Sequence, residues 1–148
     1  LRHRGRRGRD DPRGGRYSIG LPKGWKFQSS DSAGDRFTGP DGQKLLVAWT
    51  STPKDDPVAD WKNQERYMER SQYKKIRIEA VDYRGWNTAD WEFTYQDSGT
   101  KYRTIDRGFV VSDSQGYALM YTAKAAKWGS DLRVSTWKTL TESFTPKK

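Results

Sequence analysis

Residues 83–123 constrain the fold more than any other stretch, because they form three extended segments separated by short turns. Within residues 90–95 aromatic and polar side chains alternate, which is the two-residue period of a strand with one buried face. The turns are Asp-Ser-Gly at 97–99 and a Ser/Asp/Gly-rich cluster at 112–116, both typical of tight connections. Because a parallel crossover needs about a dozen or more connecting residues, we predict an antiparallel meander at the core of the sheet.

Four further strands are predicted, at residues 16–20, 36–38, 43–50 and 73–81. The segment 43–50 is apolar at both odd and even positions, which indicates a strand that is covered on both faces. Both faces of the sheet therefore need a cover.

Two helices supply that cover. Two aspartates precede Pro57, an acidic N-cap with Pro at the first helical position, and a narrow apolar stripe then extends to about Ser71. The second helix follows a cap at Ser130 or Asp131. The predicted fold class is α+β: residues 16–146 form one domain, an antiparallel β-sheet with a helix on each face, which is an α/β/α sandwich.

Residues 1–15 are predicted to be a disordered basic linker, because they are rich in Arg, Gly and Pro and offer little to bury. Residues 1–16 contain seven Arg and two Asp, a balance of 7 − 2 = +5, so the other 132 residues carry 9 − 5 = +4. The segment is either a solvated tether or a contact for the phosphates of nucleic acid or anionic lipid.

Common catalytic and cofactor sites are missing from the sequence. It has no Cys, and its single His, His3, lies in the linker, so neither a Ser-His or Cys-His pair nor a His/Cys zinc site can form in the domain. No glycine-rich phosphate loop followed by Lys-Ser or Lys-Thr occurs. We therefore predict no catalytic residue, no cofactor and no metal, and a chain that is not an enzyme.

A site built from carboxylates alone stays open. Asp90 and Glu92 share one face of a predicted strand, and we expect Asp106 near them across the meander. We favour an ion-paired face over a catalytic pair, because charged strand faces usually serve solubility and cross-strand pairing. Three arginines are available as partners: Arg84, Arg103 and Arg107.

The aromatic residues of the meander are predicted to be core rather than a stacking platform for bases. Six alternating side chains form that predicted core face: Trp91, Phe93, Tyr95, Tyr117, Leu119 and Tyr121. Trp86 and Trp128 lie instead in loops, with Arg84 close to Trp86. We expect these three residues to contact a ligand or a partner protein.

A family resemblance is carried by DYRGWNTADWEFTY (82–95), DRGFVVSDSQGYALMY (106–121) and ESF (142–144), with YSIGLPKGW (17–25) and FTGPDG (37–42) at the start. In these segments the chain resembles the C-terminal, extracytoplasmic domains of membrane-anchored serine/threonine protein kinases of actinobacteria. The resemblance implies a fold similar to PsbP-like and LpqN-type domains, and a parent protein with a kinase domain, a linker and a membrane span before this domain. The chain itself contains no GxGxxG, HRD or DFG motif of a kinase.

We therefore expect a non-catalytic extracytoplasmic sensor of a receptor-type serine/threonine protein kinase, which binds an unidentified extracellular ligand or protein and forms at most a weak homodimer. No apolar run approaches the roughly 20 residues of a membrane span, so we expect a soluble domain on the outer face of the membrane, within a larger membrane-anchored protein. One alternative is a stand-alone basic protein that binds nucleic acid or anionic surfaces through its Arg-rich tail, although nucleic acid is the less favoured partner. Another is a small enzyme that uses carboxylates only.

Overall fold

The structure is a computed structural model that describes residues 3–7, 17–129 and 131–147. The strands in these ranges are β1 His3–Arg7, β2 Tyr17–Leu21, β3 Lys26–Asp31, β4 Gly34–Thr38, β5 Lys44–Thr50, β6 Lys74–Ala80, β7 Asn87–Asp97, β8 Thr100–Ser112, β9 Gln115–Lys124 and β10 Thr145–Pro146. The helices are α1 Pro57–Glu65 and α2 Asp131–Ser143, with a 3-10 turn at Ala125–Lys127. Of the helices in the described ranges, none has the length and apolar character needed to cross a membrane.

A seven-stranded antiparallel sheet has the order β3-β4-β5-β9-β8-β7-β6, and β1, β2 and β10 form a second, three-stranded sheet. The predicted meander is confirmed, since β7, β8 and β9 are consecutive antiparallel neighbours. Ser98 and Gly99 connect β7 to β8 with φ angles of 53° and 80°. A two-residue turn with positive φ at both positions matches the twist of the strands that it joins. The α+β fold class is confirmed as well.

One face of the seven-stranded sheet packs against α2. β9 contributes Leu119 and Tyr121, and the helix side contributes Leu140 and, just past the helix end, Phe144; all four are fully buried. The rings of Phe144 and Tyr117 have centroids 5.0 Å apart. Each side chain of this size contributes roughly 1.5–3 kcal/mol when fully buried, so this core holds α2 on the sheet.

The opposite face packs against α1. Asp56 caps the helix by accepting a hydrogen bond from the backbone N–H of Ala59 at 3.1 Å, as the sequence predicts. Trp61 anchors the helix, and its indole Nε1–H donates to the carbonyl of Ala89 at 3.0 Å. Gly108 makes room for the Trp61 ring, since a Cβ at that position would lie 2.9 Å from it. The helix is therefore fixed in position over β7 and β8.

The predicted single core face is wrong, because its six residues divide between two faces. Trp91 pairs with Asp106, which pairs with Met120, and paired residues on neighbouring strands share a face. Leu119 precedes Met120 and therefore points to the other face. The two sets are Trp91, Phe93 and Tyr95 under α1, and Tyr117, Leu119 and Tyr121 under α2.

The first helix is shorter than predicted, since α1 ends at Glu65 rather than at about Ser71. The backbone N–H groups of Tyr67 and Met68 each donate to the carbonyl three residues before, at 3.0 Å, so the chain tightens and leaves the α-helical path. Glu65 interrupts the apolar stripe, and its carboxylate accepts a hydrogen bond from the Tyr73 hydroxyl at 2.6 Å. A helix without a continuing apolar face has no packing to extend it.

Three strands are missing from the sequence-based prediction: β1, β3 and the two-residue β10. All six residues of β3 are exposed, so this edge strand has no alternation of buried and exposed side chains to reveal it. β1 pairs antiparallel with β2 and falls inside the predicted linker, so residues 3–7 are paired backbone rather than disordered chain. The rest of the predicted linker, residues 8–15 included, lies outside the described residues.

Candidate functional site

Asp90 and Glu92 are ion-paired, which confirms the interpretation favoured from the sequence. Asp90 is fully buried, and its carboxylate accepts hydrogen bonds from Arg107 Nε at 2.8 Å and Arg77 Nη2 at 3.1 Å. The Glu92 carboxylate accepts from Arg77 Nε at 2.8 Å and Arg103 Nε at 2.7 Å. Every oxygen of the two carboxylates therefore accepts a charge-assisted hydrogen bond, which assigns both groups to structural pairing rather than to a reacting centre.

The same arginines connect the sheet to the aromatic core. The Arg107 guanidinium lies 4.9 Å from the centroid of the Tyr83 ring and 5.4 Å from that of Trp137. The Arg103 guanidinium lies 4.9 Å from the centroid of the Trp128 ring. Cation–π contacts of this kind contribute about 0.5–2 kcal/mol, more when the pair is desolvated. This side of the sheet is thus a structural network that joins β6, β7 and β8 to α2.

Asp106 does not join that network. It lies on the opposite face, because its cross-strand neighbours are Trp91 and Met120, so the predicted grouping with the other two carboxylates is wrong. Asp106 is 9% exposed, and its Oδ1 has no hydrogen-bond partner among the described residues. Burial, and then the charge of Asp90, raises the pKa of Asp106 to about 8, while the charge of Arg70 acts in the opposite direction.

Asp106 lines an open cleft of about 640 Å³ beside the end of α1. Volumes of roughly 300–1,000 Å³ are typical of small-molecule sites. We name this feature the α1 cleft; it is lined on the sheet side by Trp91, Phe93, Asp106 and Met120, and at the rim by Gln64 and residues 67–70. The cleft thus presents one buried carboxyl in largely apolar surroundings.

The rim of the α1 cleft is the irregular segment between α1 and β6. It is anchored near β7, where the backbone N–H of Gln96 donates to the carbonyl of Ser71 at 2.8 Å. The Arg70 guanidinium lies 4.5 Å from the centroid of the Tyr95 ring. Tyr67 is 71% exposed, so the outer part of the rim stands in solvent. Loops of this kind, held by a rigid sheet, are where binding residues concentrate.

A smaller cavity of about 200 Å³ adjoins the α1 cleft at Gln64. It lies between α1 and a strip of small residues on the sheet: Ala48, Gly108 and Ala118. None of its described lining side chains carries a buried polar atom without a partner. No group of three or more His, Asp or Glu side chains that could hold a metal ion occurs in the part of the chain that the structure describes. The α1 cleft is therefore the candidate site.

The two tryptophans predicted as exposed contacts are packed against the core. Trp128 is 3% exposed, and its ring centroid lies 5.6 Å from that of Tyr121, so the expectation of an exposed side chain is wrong at this position. Trp86 is half-buried and stacks on Phe109 with centroids 5.3 Å apart and planes 10° apart. Aromatic residues in loops often cap the end of a core, and both tryptophans do so here.

Arg84, the third predicted contact, lies with Trp86 at the connection between β6 and β7. Its backbone has a φ of 55°, in the left-handed region. Its guanidinium lies 4.7 Å from the Trp86 ring centroid and donates hydrogen bonds to the carbonyl of Glu142, at 3.1 Å, and to that of Phe144. Arg84 thereby pairs carbonyl groups that the end of α2 leaves without intrahelical partners. The structure brings Arg84 and Trp86 together, and their contact with a ligand or partner stays a prediction.

Solved structures of similar fold come from Mycobacterium tuberculosis, Synechocystis and Saccharomyces cerevisiae. LpqN of Mycobacterium tuberculosis, described as involved in cell envelope biogenesis, is similar with a TM-score of 0.69 and 13% identity, over 92% of this chain and 86% of LpqN. PsbP (CyanoP) of Synechocystis has a TM-score of 0.64 and 18% identity, over 88% of this chain and 86% of its own. The Ran-binding protein Mog1p of Saccharomyces cerevisiae has a TM-score of 0.60 and 7% identity, over 88% of this chain and 89% of its own. At such identities the likeness shows the fold alone, and it confirms the PsbP-like architecture.

No curated protein matches the sequence. A family model described as "Serine/threonine kinase C-terminal domain" matches residues 7–146, which is nearly the whole chain. This match confirms the resemblance seen in segments 82–95 and 106–121, and it concerns the C-terminal domain of such kinases rather than their catalytic domain. The chain belongs to the serine/threonine kinase C-terminal domain family.

Proposed function

We propose that this chain is the non-catalytic, extracytoplasmic sensor domain of a receptor-type serine/threonine protein kinase, and that it binds its ligand in the α1 cleft. The observation that carries the proposal is the carboxyl of Asp106, which is 9% exposed and has an oxygen without a hydrogen-bond partner among the described residues. Leaving a buried polar group unpaired costs about 1–3 kcal/mol or more. Proteins retain a destabilising buried polar group without a partner mainly where function requires it.

The surroundings of Asp106 support a binding role rather than a catalytic one. The other two carboxylates considered from the sequence, Asp90 and Glu92, are held by arginines on the opposite face of the sheet. Among the described residues that line the cleft, the only other carboxyl is that of Glu69 on the exposed rim, so no second buried carboxyl lies on the cleft floor for paired-carboxylate hydrolysis. A single buried carboxyl in an apolar cleft suits recognition of one polar group on a small ligand.

Signalling by such a domain requires that the ligand bind two states unequally, because a ligand with equal affinity for both states shifts nothing. We propose that the two states are monomer and weak homodimer, with the kinase domains brought together across the membrane. The surface around Arg84 and Trp86 is the proposed contact with the partner copy. The rim at residues 67–70 is the part of the cleft that would respond to an occupant.

The experiment uses the full-length kinase in its own cells and a variant that fills the cleft. Met120→Trp places a large ring on the cleft floor, and Ile76→Trp places the same ring on the edge strand β6, where Ile76 is 44% exposed. The measurement is kinase phosphorylation across growth conditions in which the wild type changes. We expect the Met120→Trp kinase to lose the change in phosphorylation between growth conditions and the Ile76→Trp kinase to keep it. A Met120→Trp kinase that responds like the wild type would refute the cleft as the sensor site. The extracytoplasmic position has its own test, in which protease is added outside spheroplasts. A domain that this protease does not digest would refute that position.

A further inference from the structure

The chemistry around Asp106 narrows the class of ligand. The carboxyl has an oxygen without a partner within the described residues, and its neighbours on the cleft floor are Trp91, Phe93 and Met120. Trp91 is 5% exposed and its indole N–H already donates to the Tyr73 hydroxyl at 2.9 Å, so it has no donor to offer Asp106. An occupant that satisfies this carboxyl must bring its own donors.

We propose that the α1 cleft binds a small organic cation, an ammonium group on an apolar or aromatic body, with Asp106 as its counter-ion. This inference rests on the proposed function, in which the α1 cleft is the ligand site.

Three features favour a cation over other ligands. An ammonium group donates three hydrogen bonds and accepts none, which matches a carboxylate that needs donors. The quadrupoles of Trp91 and Phe93 attract cations in a desolvated site. An anion finds no counter-charge on Asp106, because the carboxyl is neutral in the empty cleft at pH 7 and repels an anion at short range once it is ionised. The thioether of Met120 and the two rings then contact the apolar body of the ligand.

The rim of the α1 cleft carries one negative side chain, Glu69, and one positive side chain, Arg70. Glu69 contributes a second negative charge and Tyr67 is uncharged at neutral pH, whereas Arg70 is positive and lies over the Tyr95 ring, 4.5 Å from its centroid. Burial, and then the charge of Asp90 on the other side of the sheet, favour the protonated form of Asp106 in the empty cleft, while the charge of Arg70 opposes them. α1 and β9 contribute Gln64 and Met120, which carry no charge. Arg70 is thus the one cationic side chain among the described residues that line the cleft; its guanidinium lies over the Tyr95 ring, and its charge favours the ionised form of Asp106.

Binding of an ammonium ion should therefore release a proton. In the empty cleft at pH 7 the carboxyl carries its proton, and the ammonium ion replaces that proton, which leaves to solvent. The reaction is balanced: one cation enters, one proton departs, and the carboxylate remains as the anion. Affinity then rises about tenfold per pH unit up to about pH 8, where Asp106 is already ionised in the empty cleft.

The test uses the 148-residue chain and three probes of one shape: benzylamine, benzyl alcohol and benzoate. The readout is the indole N–H signal of Trp91 in a nitrogen-15 NMR spectrum, followed during titration at pH 6, 7 and 8. We expect benzylamine to bind with a dissociation constant on the order of 1 mM at pH 8 and about tenfold more weakly for each unit below it. Benzyl alcohol should bind more weakly and without pH dependence. Asp106→Asn should lose the advantage of benzylamine over benzyl alcohol, and Asp113→Asn, an exposed turn residue, should keep it.

The outcomes separate this inference from the proposed function. If benzyl alcohol or benzoate shifts the Trp91 signal as readily as benzylamine does, the cleft binds ligands but not cations, and this inference is overturned while the proposed function stands. If no probe shifts it, the cation inference is again overturned, and the Met120→Trp kinase experiment decides the proposed function on its own. If Asp106→Asn, with an otherwise unchanged spectrum, still prefers benzylamine with the same pH dependence, Asp106 is not the counter-ion.

Discussion

Replacing Asp106 with Asn should stabilise the protein, and the gain should depend on pH. Asn has nearly the shape of Asp but never ionises, so the variant removes only the titration of the carboxyl. The pKa of Asp106 rises from 3.8 to about 8 on folding, so the folded chain holds the proton more tightly than the unfolded chain. A group with a raised folded pKa contributes its full stability below the unfolded pKa, and that stability is lost as pH rises toward the folded value.

The size of the effect follows from the same two pKa values. Between pH 4 and pH 8 the unfolded chain ionises at Asp106 while the folded chain does not, so wild-type stability falls by about 1.4 kcal/mol per pH unit from this residue alone. At pH 7 the loss reaches up to about 4 kcal/mol relative to a neutral side chain. The Asp106→Asn variant should thus be nearly as stable as the wild type at pH 4, and more stable by a growing margin up to pH 8.

The assay is urea unfolding at pH 4.5, 5.5, 6.5 and 7.5, followed by tryptophan fluorescence. Asp113→Asn serves as the matched control, because Asp113 is exposed in the turn between β8 and β9 and its change should show no such pH dependence. A pH-independent difference for Asp106→Asn, or a loss of about 1 kcal/mol or more at pH 7, would refute the reasoning. Such a loss is the cost of removing a satisfied buried hydrogen bond, so the carboxyl would have a partner.

Three further predictions test the packing, the ion-pair network and the basic segment. Trp128→Ala should lower the free energy of unfolding by about 3–5 kcal/mol, as for a truncated core tryptophan, and Trp86→Ala by less. Urea unfolding measures both, and a loss under about 1 kcal/mol at Trp128 would restore the exposed-contact hypothesis. Glu92→Gln should cost about 2 kcal/mol, because the partly solvated Arg77 and Arg103 each lose one charged partner; unchanged stability contradicts the network. Any binding of the chain to DNA should be lost when residues 1–15 are deleted, and in the full chain it should weaken with salt at a log–log slope of about −0.9 per phosphate contact. Salt-insensitive binding by the shortened chain would instead place a basic site in the folded domain.

Alternation predicts the central strands because a strand with one buried face must place apolar residues at every second position, as residues 90–95 do. The faces that these strands share depend on register, which alternation leaves open. A three-residue turn at 97–99 would pair Asp106 with Asp90, the grouping expected from the sequence. The observed two-residue turn at Ser98 and Gly99 pairs Asp106 with Trp91 and moves it to the opposite face.

The α1 cleft depends on a second feature that local sequence does not show. The acidic cap and Pro57 predict where α1 begins, because capping is a local interaction. The end of α1 at Glu65 depends instead on tertiary contacts, among them the hydrogen bond from the Tyr73 hydroxyl. A carboxylate facing Trp91 and Met120 across two strands is the signal that would identify the site, and it becomes visible only once the register is known.

The measurement that tests the central claim most directly is the titration of the Asp106 carboxyl itself by carbon-13 NMR, with its signal assigned by its disappearance in Asp106→Asn. We predict a midpoint of about 8 in the empty cleft, because the carboxyl is buried and its Oδ1 has no partner among the described residues, and a lower midpoint when benzylamine saturates the cleft. A midpoint near 4, the ordinary range of an aspartate, would show that the carboxyl is solvated or paired. It would contradict the proposal that Asp106 is the ligand-binding group of the α1 cleft.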